Sequence, residues 1–157
     1  MGIALYSKME YSESQCSPLL NQKGSMIIAK FPNFVIVNGK KQDVFISFIY
    51  ILPDATSAVY CDAVAKLTDL NPTGAGLMFV MGDFNKNPEN IPSGFKQRMS
   101  NLGLQQIISG MTHNRGNTLD HIYTNVCKDD LKYGQLNSLT KTDHLPIYVS
   151  LKSKINT

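Results

Sequence analysis

Cysteine is scarce in this chain and never paired in sequence. Cys16, Cys61 and Cys127 are odd in number, widely spaced and free of any Cys-x-x-Cys step, so neither a disulfide framework nor a zinc site is supported. That usage suits a reducing compartment, and no disulfide-linked partner is expected. A charged leader followed by an apolar run is missing from the N-terminus. The longest strongly apolar stretch, Val44 to Leu52, is interrupted by Ser47 and is too short to span a bilayer. The expectation is an intracellular protein, nuclear or cytoplasmic, with no membrane partner. Met1-Gly2 opens like a myristoylation signal, but Tyr6 stands where Ser or Thr is wanted. Charge of one sign is also scarce: 15 Lys and Arg against 12 Asp and Glu leave +3. This is compatible with a polyanionic substrate and far short of the basic stripe of a dedicated nucleic-acid-binding domain. Internal repeats, low-complexity tracts and a domain boundary are missing too. What remains, 157 residues with 43% hydrophobic and 17% charged, is the makeup of one globular domain with a real core.

The chain is organised around Leu77-Met78-Phe79-Val80-Met81-Gly82-Asp83-Phe84-Asn85. Five apolar residues in a row, bounded by glycines, predict a strand buried on both faces, since a half-exposed strand would alternate apolar with polar. Ahead of it, Ile3 to Tyr6 is a short apolar run and Ser7 to Gly24 reads as a connecting loop. Met26 to Phe31 and Phe34 to Val37 are strand pieces broken at Pro32-Asn33, and Asn38-Gly39 signals a hairpin. The return strand, Val44 to Leu52, is β-branched and aromatic, hence central. From Thr56 to Leu70, Val59, Ala63, Val64, Leu67 and Leu70 recur at helical spacing. After Asn85 comes a Pro- and Asn-rich loop, then a short helix with Phe95, Met99 and Leu102 on one face. Further strands are predicted at Leu104 to Ile108, Thr118 to Thr124 and Leu145 to Leu151.

Three motifs set acids beside strands. Asp83 and Asn85 end the core strand, two positions apart, so both point to one side if extended geometry persists. A carboxylate at the mouth of a buried sheet costs desolvation energy unless it meets a metal, a cation or a reacting water. A Gly-Asp-Phe-Asn turn with Asp83 merely capping the loop would look the same. The other two motifs are Leu119-Asp120-His121-Ile122, within a strand, and Thr142-Asp143-His144-Leu145-Pro146, just before one. Phosphodiester hydrolysis needs a positioned water, a cation against the phosphoryl oxygens and donors for the developing charge, which aspartates and a histidine supply. His121 faces away from Asp120 and is read as packing or surface. His113 and Arg115 lie in a polar loop where solvation is at least as good an account as substrate contact, although Arg115 could meet a phosphate.

In the order of these motifs, in Tyr50 ahead of Pro53, and in the run Thr112 to Thr124, the chain resembles the endonuclease/exonuclease/phosphatase superfamily, and within it the endonuclease domains of non-LTR retrotransposons. The resemblance covers essentially the whole chain, which is read as a single, partial domain over residues 1–157. It implies a four-layer α/β sandwich of the DNase I-like type and Mg²⁺- or Mn²⁺-dependent hydrolysis of DNA, or alternatively RNA. It also implies roles: Asp83 orients or activates the attacking water, Asn85 bonds a phosphate oxygen, and His144 stabilises the phosphoryl charge with Asp120 orienting its ring. Asp143 helps hold the cation, Tyr50 lies against the scissile phosphate and Arg115 contacts substrate.

The family's first strands, with an asparagine and the glutamate that is its chief Mg²⁺ ligand, have no counterpart here; Glu10 and Glu13 are poor substitutes by position. The chain is therefore expected to look like the C-terminal part of such a domain, with the cation incompletely coordinated, little nuclease activity by itself and an exposed sheet edge near Ile3 to Tyr6. Two other readings stay open at this point: a catalytically silent remnant that binds nucleic acid weakly, and a phosphatase or phosphodiesterase of the same fold. The family mechanism needs its groups around a single phosphate, so Asp83, Asn85, Asp120, Asp143 and His144 are expected to converge on one cleft.

Overall fold

Asn38-Gly39 is the tightest local instruction in the chain, and its turn is where the architecture starts. The computed structural model describes residues 13–137 and 141–152. Asn38 and Gly39 adopt φ of 50° and 74°, the left-handed pair that a two-residue type I′ hairpin turn requires. The flanking strands consequently pair antiparallel with Val37 opposite Lys40. The sheet begins with β1 (Glu13–Pro18), paired antiparallel with β2 (Gly24–Val37), which the hairpin joins to β3 (Lys40–Ile51). β1 falls where a loop was expected from Ser7 to Gly24. Its polar sequence carries no apolar alternation, in keeping with its place at the end of the sheet among the described residues, with Cys16 and Pro18 exposed. The run Ile3 to Tyr6 and the edge expected there lie outside the described residues. β2 is not broken at Pro32-Asn33; the register shifts between Phe31 and Val35, and the Asn33 N–H donates to Asp43 Oδ1 at 2.9 Å. The interruption is a bulge.

Parallel strands need a crossover, and the amphipathic stretch supplies it. Helix α1 (Ser57–Leu70) buries Val59, Tyr60, Ala63, Val64 and Leu67, each large side chain stabilising the fold by about 1.5–3 kcal/mol. It returns the chain to β4 (Leu77–Asp83), parallel to β3 from Val44 opposite Leu77 to Tyr50 opposite Asp83. Then follow α2 (Ser93–Asn101), β5 (Gln105–Gln106), β6 (Asp120–Thr124), β7 (Leu131–Gln135) and β8 (Ile147–Leu151). The six-stranded sheet has the order β1-β2-β3-β4-β6-β5, and β7 pairs with β8 in a separate two-stranded sheet. β5 is shorter than the strand expected over Leu104 to Ile108, because Ile107 already leaves the ladder with a single bond to the Ile122 carbonyl at 2.9 Å.

β4 is buried on both faces. Met78 and Val80 join the cluster formed with α1 and α2, while Phe79 joins Leu131, Ile107 and Ile122, with Tyr133, Ile147 and Val149 packed against them. Helices thus cover one face of the large sheet and the small sheet covers the other. The described residues supply three layers of an α/β sandwich of the DNase I-like type. Among them, no helix is long and apolar enough to cross a membrane.

Gly82 marks where the sheet is tightest. It has φ of 148°, and a Cβ there would run into the backbone of Ile49 on the neighbouring strand. Gly82→Ala is expected to destabilise the fold by about 4 kcal/mol, at the severe end for single substitutions. Urea unfolding followed by circular dichroism measures it, and a near-neutral result would contradict the close approach.

Candidate active site

The antiparallel register of β4 and β6 ends with Asp83 directly opposite Asp120. Past that pair the Phe84 N–H still bonds the Leu119 carbonyl at 2.8 Å, and then the chain turns. Asn85 has φ of 50°, so the expected reason for Asp83 and Asn85 sharing a side, an extended strand through both, does not hold. A turn brings them together instead: the Asn85 N–H donates to Asp83 Oδ1 at 2.9 Å, and its side-chain amide donates to the Ile51 carbonyl at 2.7 Å. Asparagine tolerates this left-handed backbone at low cost. Tyr50 is half-buried beside Asp83 in the parallel register.

Asp143 and His144 arrive on the loop before β8. Three backbone contacts seat that loop: Leu145 N–H to the Thr112 carbonyl at 2.7 Å, Asn114 N–H to the Asp143 carbonyl at 2.8 Å, and an antiparallel bridge between His113 and His144. His144 Nδ1 then lies 2.8 Å from Asp120 Oδ2, and its Nε2 lies 3.9 Å from Asp83 Oδ2. A carboxylate can only accept, so Nδ1 carries the proton toward Asp120 and Nε2 faces Asp83. Asp83, Asp120 and His144 come together; Asn85 is tied to the group through Asp83. Asp143 stands beside it, its Oδ2 3.2 Å from His113 Nε2. Arg115 is exposed in the adjoining turn, and its backbone N–H donates to His113 Nδ1 at 3.2 Å.

Three contributors, Thr112, His113 and Asn87, are not among the residues expected in the site, and His113 reads equally well as a solvated loop residue. Thr112 is fully buried, and its hydroxyl accepts from the N–H groups of Leu119 and Asp120 at 2.9 and 3.0 Å, fixing the backbone under Asp120. His113 is buried too, edge-on to His144 with ring centroids 5.0 Å apart at 89°. Asn87 accepts from the Thr118 N–H at 2.7 Å and thereby ties the loop after Asn85 to the start of β6. All three lie in polar loops, where hydrogen-bonding residues are common and only the fold shows which are buried. His121, by contrast, is a packing residue: fully buried, stacked on Phe84 at 5.0 Å and bonded to the Thr118 carbonyl at 3.0 Å.

The electrostatics follow from this crowding. Burial raises the pKa of Asp83; the Asn85 N–H opposes that, the charge of Asp120 adds to it, and the two histidines His144 and His113 work against it. For His144, burial acts to lower the pKa, but the Asp120 hydrogen bond and the charges of Asp120, Asp83 and Asp143 outweigh it, so the imidazolium is favoured. Asp143 is lowered, first by its own backbone N–H and then by His113. His121 is lowered by burial and stays neutral.

Two groups of side chains bring three possible ligand atoms within 4.8 Å of one another: Asp83, Asp120 and His144, and His113, Asp143 and His144. Mg²⁺ takes oxygen ligands in near-octahedral geometry and is commonly held by one or two carboxylates with water and substrate completing the shell. The histidine nitrogens do not suit it, and Asp120 is committed to His144. The carboxylate of Asp143, whose side chain is 60% exposed, fits such a partial site.

No protein-family model matches the chain, and no curated protein matches it in sequence. Solved structures do match its fold. The human Nocturnin catalytic domain, solved with a bound sulfate anion, superposes with a TM-score of 0.65 at 20% identity, covering 89% of this chain and 58% of that one. An endonuclease/exonuclease/phosphatase family protein from Leptotrichia buccalis matches with a TM-score of 0.55 at 17% identity, over 81% and 53%. The endonuclease domain of TRAS1, a telomere-specific non-LTR retrotransposon, matches with a TM-score of 0.59 at 12% identity, over 90% and 68%. The chain shares the DNase I-like α/β fold of these structures and spans between about half and two thirds of their length.

The raised pKa of His144 has a measurable sign. A group raised on folding contributes stability that is fully present below its unfolded value, about 6.5, and lost as pH rises through the folded value. Proton NMR titration of the His144 ring is expected to give a pKa above 6.5, and Asp120→Asn is expected to bring it down. A ring that titrates identically in both proteins would remove the pair from the account.

Proposed function

We propose that the protein hydrolyses phosphodiester bonds of DNA, with RNA as the neighbouring substrate class, using Mg²⁺ or Mn²⁺ at Asp143. The observation that carries this reading is His144 standing between two carboxylates, Nδ1 on Asp120 and Nε2 toward Asp83. Asp83 takes the proton of the attacking water; its raised pKa makes it a stronger base than an ordinary surface aspartate. His144, held by Asp120 and favoured as the imidazolium, lies where negative charge gathers on the phosphoryl oxygens and stabilises it. Asn85 keeps one amide N–H on the Ile51 carbonyl and offers the other to a phosphate oxygen. Tyr50 lies against the scissile phosphate and Arg115 binds a neighbouring one. A bound divalent cation adds charge neutralisation at the same oxygens.

The reading of DNA as substrate and target-site nicking as role rests on the motif resemblance to the endonuclease domains of non-LTR retrotransposons, and the TRAS1 endonuclease domain shares the fold. The same fold serves phosphatases and phosphodiesterases, so the substrate is decided at the site. Purified protein with Mg²⁺ or Mn²⁺ is tested on supercoiled plasmid and on a phosphomonoester. Slow plasmid nicking is expected, falling by roughly 10²–10⁴ in Asp83→Asn and in His144→Ala with the fold retained. Hydrolysis of the monoester alone would establish a phosphatase instead, and an inert parent protein would contradict catalysis by this chain on its own.

A further inference from the structure

We infer that His113 is a positioning residue that holds Asp143 in place for a divalent cation, and that the adjoining Thr112-His113 step orients both acidic partners of the site. The first point rests on the reading of Asp143 as a cation ligand. The side chain of Asp143 is 60% exposed, whereas that of His113 is 11% exposed. An aspartate so open to solvent would ordinarily sample several rotamers. Here a buried ring grips it, His113 Nε2 to Asp143 Oδ2 at 3.2 Å.

The direction of that grip is set by the other ring nitrogen. His113 Nδ1 accepts the Arg115 N–H at 3.2 Å, so it carries no proton, and the proton of the neutral ring sits on Nε2, facing the carboxylate. A histidine that ligates a metal needs the opposite arrangement, a lone pair on the bonding nitrogen and a proton on the other. With a backbone N–H in front of Nδ1, His113 is built to donate to Asp143 rather than to bind an ion itself. The carboxylate is thereby held in place while its side chain stays 60% exposed, where a cation can reach it.

The surrounding contacts make the grip rigid. The bridge between His113 and His144 and the Asn114 N–H to the Asp143 carbonyl, at 2.8 Å, fix the two backbones to each other. One residue earlier, the Thr112 hydroxyl accepts from Leu119 and Asp120. Two consecutive residues therefore set Asp120, which orients His144, and Asp143. Hydrogen bonds of this kind to a ligating group commonly change metal affinity by about 10–100-fold.

The test uses the 157-residue protein and Mn²⁺ alone, with affinity read by electron paramagnetic resonance and folding by circular dichroism. Asp143→Ala is expected to weaken Mn²⁺ binding. His113→Ala is expected to weaken it about 10-fold, and His113→Gln, whose amide N–H reaches toward the position of Nε2, to return it to within a few-fold of the parent. In the Asp143→Ala background, His113→Ala should change nothing further. Parent-like affinity in His113→Ala, with Asp143→Ala weakened, would overturn this proposal and leave Asp143 as a ligand. No effect of Asp143→Ala would overturn the ligand reading itself. If His113→Ala does not fold, a folded His113→Gln decides: affinity near the parent's supports the proposal, and a 10-fold loss overturns it.

Discussion

Two aspartates placed face to face at the end of a sheet are the constraint on which the site depends. Like charges directly opposite on neighbouring strands are destabilising, and Asp83 and Asp120 are paired in that way while largely shielded from water. The surrounding structure meets that cost with donors. Asn85 gives its N–H to Asp83, His144 gives Nδ1–H to Asp120, and Thr112 anchors the backbone N–H of Asp120. The two donors, and the Thr112 acceptor that fixes the backbone of Asp120, come from three different loops, so the pair can be tolerated only when the loops are seated. Stability of the site and its chemistry are the same set of contacts viewed at two stages.

The sheet and the loops divide the labour. The large sheet fixes Asp83, Asp120 and Tyr50 by register alone, because β4 lies between β3 and β6 and is buried on both faces. Behind it, the Tyr60 hydroxyl donates to the Phe84 carbonyl, and Phe84 packs against Phe95, His121 and Tyr123. That aromatic cluster steadies the turn on which Asn85 sits. Asp143 and His144 are delivered from the opposite side by the loop before β8 and its contacts with the Thr112-His113 step.

How much of this can be read from residues alone depends on whether the signal is local. The hairpin at Asn38-Gly39, the crossover helix and the buried strand from Leu77 carry their own periodicity or turn chemistry and form where expected. β1 and β7 do not, since the polar β1 and the sequence Leu-Lys-Tyr-Gly-Gln of β7 become strands only through their partners β2 and β8. Asp83, Asp120 and His144 stand out because acids beside strands are unusual. His113 and Thr112 do not, because a histidine and a threonine in a loop look alike whether they are solvated or buried against a carboxylate. The proximity of Asp83 and Asn85 was legible for a different reason than the one that operates, a left-handed turn replacing a continued strand.

If Asp83, Asp120 and His144 form one electrostatic unit, the protonation of Asp83 must respond to the other two. Carbon-13 NMR titration of the Asp83 carboxyl group, in the parent protein and in His144→Ala, reads this directly. The account predicts a pKa above the ordinary aspartate value in the parent and a further rise when the compensating imidazolium is removed. An Asp83 that titrates like a surface aspartate, or that ignores the loss of His144, would contradict it.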